Sequence, residues 1–224
     1  MTTTSTPING IETWIFDLDN TLYPPEAGLL SQIDTRMRTF IMRFLDIDAD
    51  EADRLRAHYL ERDGITLKGL MQHHGVEADS FLEETHAIDL SGVRCDPVLA
   101  AAIAALPGRK IIHTNGARQH AERVLAALGL EQSFEQIFAI EDKGFVPKPE
   151  LPAYTHVIRE AAIDPVSAAM IEDTVVNLVE PKRLGMATIW LDHGQSGAPH
   201  RHVDLRIRDL MAFLREAAQD TSAA

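Results

Sequence analysis

Two carboxylates and a threonine follow a short apolar run near the start of the chain: residues 14–23 read Trp-Ile-Phe-Asp17-Leu-Asp19-Asn-Thr21-Leu-Tyr. Trp14, Ile15 and Phe16 have the character of a buried strand. Its C-terminal end presents Asp17 and Asp19 at the edge where open α/β sheets bind ligands. Two anions this close call for a cation, and hard carboxylate oxygens, completed by water and a substrate phosphate, suit Mg²⁺. A carboxylate approaching a phosphate dianion is repelled by roughly 8 kcal/mol at ~4 Å and an effective dielectric of ~20, so positive charge has to intervene. On this reading Asp17 is a nucleophile that forms an aspartyl phosphate, which water later hydrolyses. Asp19 gives a proton to the leaving alkoxide and takes one from the water, while Thr21 braces the turn.

Three further segments supply the remaining groups. Thr114, followed by Asn115 and Gly116, lies between a strand and a helix. A hydroxyl and backbone N–H groups there make a phosphate cradle. Lys148 stands between Pro147 and Pro149, which restrict the backbone and aim a point charge inward, with Lys143 in the same loop as a substitute. Glu172 and Asp173 end another apolar strand and complete an oxygen-rich cation site, with Asn177 placed to hold one of them. Taken singly, each has an ordinary reading as a turn aspartate, a helix cap or a solvated loop lysine. Together they fall at the strand ends of one inferred sheet.

The elements that must position these groups fall into two regimes. Residues 27–91 carry only helical pattern: Leu29, Ile33, Met37, Phe40, Ile41, Phe44 and Leu45 recur at helical spacing. Further helices are predicted near 49–62, 66–74 and 78–87. From Asp96 onward helix and strand alternate. Helices are expected over 98–106, 118–128 and 152–161, a short one ending at Leu184, and a last one over 210–217. Strands are expected over 110–113, 137–140, 168–171, 187–191 and 203–207. Such alternation implies parallel strands with right-handed crossovers. The expected fold is α/β, a doubly wound Rossmann-like core of residues 1–22 and 96–224, interrupted by an all-helical cap at 23–95. An insertion directly after the carboxylate strand would sit over the strand ends, excluding water and contacting substrate.

Bulk composition narrows the function. The net charge of −13 argues against a nucleic-acid polymer as partner, but a small phosphorylated metabolite responds to the local field of a site. No apolar run approaches the length of a membrane span, and residues 1–7 lack the features of a secretory signal, so a disordered leader on a cytoplasmic protein is expected. The single cysteine, Cys95, excludes an intrachain disulfide and is expected to be a small buried hydrophobe. Oligomeric state is not encoded in any of these features.

The Phe-Asp17-Leu-Asp19-Asn-Thr21-Leu-Tyr string, together with the three later segments, resembles the haloacid dehalogenase superfamily from Ile11 to about Leu210. The resemblance implies Asp17 as nucleophile and metal ligand, and Asp19 as acid/base giving its backbone carbonyl to Mg²⁺. It further implies Thr114 as phosphate binder, Lys148 as charge neutraliser, and Glu172 with Asp173 at the metal. Members of the dehalogenase type lack the second acid, so Asp19 marks this chain as similar to the phosphatases. The Asp-Asn-Thr-Leu-Tyr-Pro-Pro run and the segment Gly64-Ile-Thr-Leu-Lys-Gly-Leu look similar to a pyrimidine 5′-nucleotidase-like branch with a helical cap. One departure is Pro181, where related chains continue a helix and where a missing N–H is expected to shift Asn177. A phosphomutase and a catalytically silent binding or scaffold protein are the alternatives. Arg36, Arg38, Lys68, His73 and His74 are the cap side chains that can meet a substrate, against the commoner outcome that they are simply solvated.

Overall fold

A computed structural model describes residue 8 and residues 10–194 and 200–220; the leader expected at residues 1–7 lies outside the described residues. Six parallel strands form one sheet: β1 (Thr13–Phe16), β2 (Arg109–His113), β3 (Gln136–Phe138), β4 (Ala168–Glu172), β5 (Ala187–Leu191) and β6 (Leu205–Ile207). Their spatial order is β3-β2-β1-β4-β5-β6. The order reverses between β1 and β4, which is where doubly wound sheets open a crevice for ligand. Asp17 emerges at that point, with its N–H donating to the Ile171 carbonyl at 2.9 Å.

Alternation along β1 shows why the strand must be central. Trp14 and Phe16 enter one apolar layer with Leu99, Ile103, Val124, Phe213 and Leu214. Ile15 enters the opposite layer with Tyr154, Val157, Met170 and Trp190. Successive side chains of a strand face opposite sides, so an unbroken apolar run is stable only where helices cover both. On the first face lie α5 (Pro97–Ala105), α6 (Arg118–Leu128) and α9 (Leu210–Asp220), and on the second α7 (Leu151–Glu160) and α8 (Val179–Leu184). Helix boundaries follow local chemistry. Asp96 caps α5 by accepting from the N–H groups of Val98 and Leu99, Pro97 occupies the first turn, and Gly129 closes α6 at φ 73°.

Between β1 and α5 run four helices, α1 (Leu29–Leu45), α2 (Ala49–Asp63), α3 (Thr66–His74) and α4 (Ala78–Thr85). They surround an apolar cluster of their own, including Phe40, Ile41, Tyr59, Leu70 and Phe81, to which Ala117 and Ile140 contribute from the strand-end loops. Lys68 on α3 also reaches Glu150 at 2.8 Å. The four-helix segment is therefore seated on the loops at the C-terminal edge of the sheet.

Several expectations shift in detail. The strand expected over 137–140 pairs only over Gln136–Phe138, because the chain turns at Ile140 into a short 3-10 turn at Glu141–Lys143. The strand expected from Val203 begins at Leu205, and the helix expected to 87 ends at Thr85. Pro181 lies in the first turn of α8, where its missing N–H costs no helix bond, and Asn177 lies on the preceding 3-10 turn. Cys95 is exposed, contrary to the expectation of a buried thiol. It sits just ahead of the α5 cap with its Sγ against Gly129, where a Cβ would come within 2.7 Å. Among the described residues no helix is long and apolar enough to cross a membrane.

Candidate active site

The turn after β1 carries both acids and is closed by its own backbone. The N–H groups of Thr21 and Leu22 both donate to the Leu18 carbonyl, and Asn20 takes a left-handed conformation at φ 57°, which asparagine tolerates better than most residues. Asp17, 6 % exposed, accepts from Thr21 Oγ1 at 3.1 Å and from Lys148 Nζ at 2.6 Å. Thr21 thus braces the nucleophile candidate directly.

Lys148 arrives on a constrained loop. Gly144 and Phe145 are both left-handed, at φ 61° and 63°, an arrangement that costs an aromatic residue about 1 kcal/mol or more. The lysine, 2 % exposed, donates to Asp17 Oδ1 at 2.6 Å and to Glu172 Oε2 at 2.7 Å. Burial alone would lower its pKa, but the two carboxylates outweigh that and hold the ammonium charged. Lys143 does not take this place: its Nζ donates to the Thr114 carbonyl at 2.7 Å, and burial together with the nearby Lys148 charge lowers its pKa.

Asn115 secures the loop from the other side. Its carboxamide donates to the Lys148 carbonyl at 3.0 Å and accepts from the Lys148 N–H at 2.8 Å. The Asn115 carboxamide is thereby spent on Lys148, while the Asn115 backbone N–H, the kind of group expected in the phosphate cradle, has no partner among the described residues. Thr114 is buried, and its Oγ1 accepts from the Gly116 N–H at 2.9 Å. Gly116 keeps this corner open, since a Cβ there would lie 3.2 Å from Asp19 Oδ2 and 3.3 Å from Thr114 Oγ1.

Asp17, Glu172 and Asp173 each place a carboxylate oxygen within 4.8 Å of the others. Burial raises the pKa of Asp17 and Glu172, and the neighbouring acids add to it beyond what Lys148 offsets. Three acids facing one ammonium leave an excess of negative charge on oxygen donors alone. This donor set fits a hard divalent cation. Asn177 lines the same cavity; its N–H donates to the Thr174 carbonyl at 2.9 Å and its carbonyl accepts from Tyr154 Oη at 2.7 Å.

Three residues not singled out from the sequence belong to this site. Tyr23 Oη and His120 Nε2 both bond Asp19 Oδ1, the latter at 2.7 Å, and the His86 ring lies against His120 with centroids 5.2 Å apart. Burial works to raise the Asp19 carboxyl, but His120 and Tyr23 outweigh it and hold the group below the usual carboxylate range. Burial, and then the charge of His120, pushes His86 down to about 4.

These groups surround a cavity of about 310 Å³ lined by Asp17, Asp19, Thr114, Asn115, Lys148, Glu172 and Asp173, among others. A second cavity, about 490 Å³, lies beneath the four helices. The two share Met37, Leu60, Ile65, His86 and Asn115 in their walls. Of the α1–α4 side chains considered for substrate contact, Arg38 lines the larger cavity, where its Nε donates to Asp53 at 2.9 Å. Arg36 donates to the Glu84 carbonyl at 3.0 Å, Lys68 pairs with Glu150, and His73 and His74 pack around Tyr59.

A parallel sheet ending in an aspartate pair, a buried lysine and a second acidic pair defines a hydrolase class, and residues 11–185 match the haloacid dehalogenase-like hydrolase family, to which this chain belongs. Among curated proteins, it is 26 % identical over 195 residues to Phosphate metabolism protein 8 of Saccharomyces cerevisiae, covering 79 % of this chain and 60 % of that protein. It is 26 % identical over 193 residues to Probable phosphatase IndB of Dickeya dadantii, covering 80 % of each. Among solved structures, the HAD phosphatase from Thermococcus onnurineus superposes with a TM-score of 0.64 at 20 % identity, over 92 % of this chain and 97 % of that one.

Proposed function

We propose that the protein is a Mg²⁺-dependent phosphomonoesterase that acts through an aspartyl phosphate on a small phosphorylated metabolite, with a pyrimidine nucleoside 5′-monophosphate as the candidate substrate. The observation that carries this reading is the contact of Lys148 Nζ with both Asp17 Oδ1 and Glu172 Oε2 in a buried pocket that Asp19 also lines. The phosphatase names of the relatives support the reaction class, and the second cavity supports a leaving group of metabolite size. Residues 23–95 serve as the cap, and residues 1–22 and 96–224 as the catalytic core.

In the mechanism that follows, Lys148 neutralises the charge of Asp17 and of the arriving phosphate, and Thr114 Oγ1 with free backbone N–H groups holds the phosphoryl oxygens. A carboxylate oxygen of Asp17 forms a bond to phosphorus as the ester P–O bond breaks. The negative charge of the bound phosphate raises the Asp19 carboxyl from the low value that His120 and Tyr23 set, and Asp19, then protonated, gives its proton to the departing alkoxide. Asp19, now ionised, takes a proton from a water molecule whose oxygen attacks phosphorus, and the bond to Asp17 breaks to release inorganic phosphate. Asp17, Glu172, Asp173 and the Asp19 carbonyl would hold Mg²⁺, which when bound neutralises charge on the phosphoryl oxygens.

The test is phosphate release with Mg²⁺ over a panel of nucleoside monophosphates, sugar phosphates and phosphoglycolate, comparing wild type with Asp17→Asn. Turnover by wild type alone is the expected result. Equal rates in the two proteins, or no release from any ester, overturns the reading.

A further inference from the structure

The two oxygens of Asp19 have different surroundings. Oδ1 meets the Tyr23 hydroxyl, four residues along the turn, and His120 Nε2 at 2.7 Å from the first turn of α6. Oδ2 instead faces the Thr114–Gly116 loop, near the point where a Gly116 Cβ would lie. His120 is fully buried, and its Nδ1 has no partner among the described residues. A ring nitrogen facing a carboxylate carries hydrogen, so Nε2–H donates to Oδ1. The ring is held in place by its contact with His86.

We infer that Tyr23 and His120 are positioning residues that anchor the Asp19 carboxyl through Oδ1, so that Oδ2 is the oxygen that exchanges the proton with the leaving group and the attacking water. An aspartate side chain rotates about two bonds, and proton transfer tolerates only small displacements of the donor. With both lone pairs of Oδ1 engaged, a proton on Oδ2 leaves both hydrogen bonds intact, whereas a proton on Oδ1 displaces one of them. The inference rests on the acid/base role proposed above for Asp19.

The test separates esters by how much their leaving groups need a proton. A simple alkyl phosphate expels an alkoxide that must be protonated, while p-nitrophenyl phosphate expels a stable phenolate. Because kcat/KM reports the reaction up to departure of the leaving group, Tyr23→Phe and His120→Phe are expected to lower it about 10- to 100-fold for the alkyl ester. For the aryl ester the loss is expected to stay under about 3-fold, and His120→Gln, which keeps a donor, recovers most of it. Tyr23→Phe removes one hydroxyl and retains the ring, so it carries the test should either His120 variant fail to fold. Equal losses on both esters, or no loss in Tyr23→Phe, overturn the assignment. Asp17→Asn distinguishes the two proposals: full turnover in that variant overturns the phosphatase reading itself, whereas a dead Asp17→Asn with an unchanged ester ratio overturns only the positioning role.

Discussion

The Lys148 ammonium lies 2.6 Å from Asp17 Oδ1 and ties the end of β1 to the loop before α7, across 131 residues of sequence. Its second bond, to Glu172 at 2.7 Å, makes it the shared counter-ion of two buried acids. Lys148→Met therefore leaves those acids unpaired, and removing one partner of a buried ion pair costs about 3–5 kcal/mol. Lys143 cannot compensate, because it is committed to the Thr114 carbonyl. Metal-free denaturant unfolding at neutral pH is expected to show a loss of that size. Phosphate release is expected to fall by about 100-fold or more, as for loss of other preorganised groups that stabilise a developing oxyanion.

The acid cluster makes divalent cation binding measurable without any turnover. Asp17, Glu172 and Asp173 crowd their oxygens within 4.8 Å, and a bound cation relieves repulsion that is present only in the folded chain. Mg²⁺ at about 100 times its dissociation constant is expected to stabilise the fold by about 2.7 kcal/mol, and chelation to reverse it. Asp173→Asn removes one charged ligand without touching Lys148, so the Mg²⁺-dependent rise in Tm should shrink. An unchanged rise in that variant assigns the binding elsewhere.

The strands, the helices and the acidic ends of the strands were legible in the sequence because each is a local pattern. Trp14, Ile15 and Phe16 announce a doubly covered strand by composition, and Asp96-Pro97 announces a helix start by chemistry. The anchoring of Asp19 was not legible, because His120 stands 101 residues from it. The periodicity of α6 turns His120 inward with Ala121, Val124 and Leu125, but a histidine on an apolar face looks like core until its partner is placed. Tyr23 was nearer to view, four residues after Asp19, yet in a turn this spacing fixes no contact. Asn115 carries a further contact that the sequence did not announce: its carboxamide holds the Lys148 backbone, 33 residues away.

His86 gives stability a pH dependence with a definite sign. Burial and the neighbouring His120 push it down to about 4, against 6.5 for the free side chain. Between those values the unfolded chain binds more protons than the folded one, so stability rises with pH through this window. The contribution is fully present above about pH 6.5 and is lost as pH falls toward 4. A shift of this size corresponds to roughly 3 kcal/mol. Urea unfolding at a series of pH values should show this slope in wild type and a flatter one in His86→Gln. Parallel slopes assign the acid sensitivity to other groups.

Gly69 and Tyr59 fix how α3 lies on α2. A Cβ at Gly69 would come within 2.2 Å of Tyr59 Cγ and 2.7 Å of Tyr59 Cβ, too near the root of the side chain for a rotamer change to relieve. Alanine gains about 1 kcal/mol in helix propensity over glycine. Overpacking a well-filled interior costs typically 1–3 kcal/mol, and more where nothing can yield. The clash is expected to win, so Gly69→Ala should lower the denaturant midpoint even though it improves the helix. Tyr59→Ala will destabilise the same cluster by loss of a buried ring, 4 % exposed. The double variant should be more stable than the sum of the two single losses implies, because alanine at 59 removes the clashes at Cγ and Cδ1 and leaves only the one at Cβ. Simple additivity in that cycle would show that α3 has moved away from α2 instead of pressing against Tyr59.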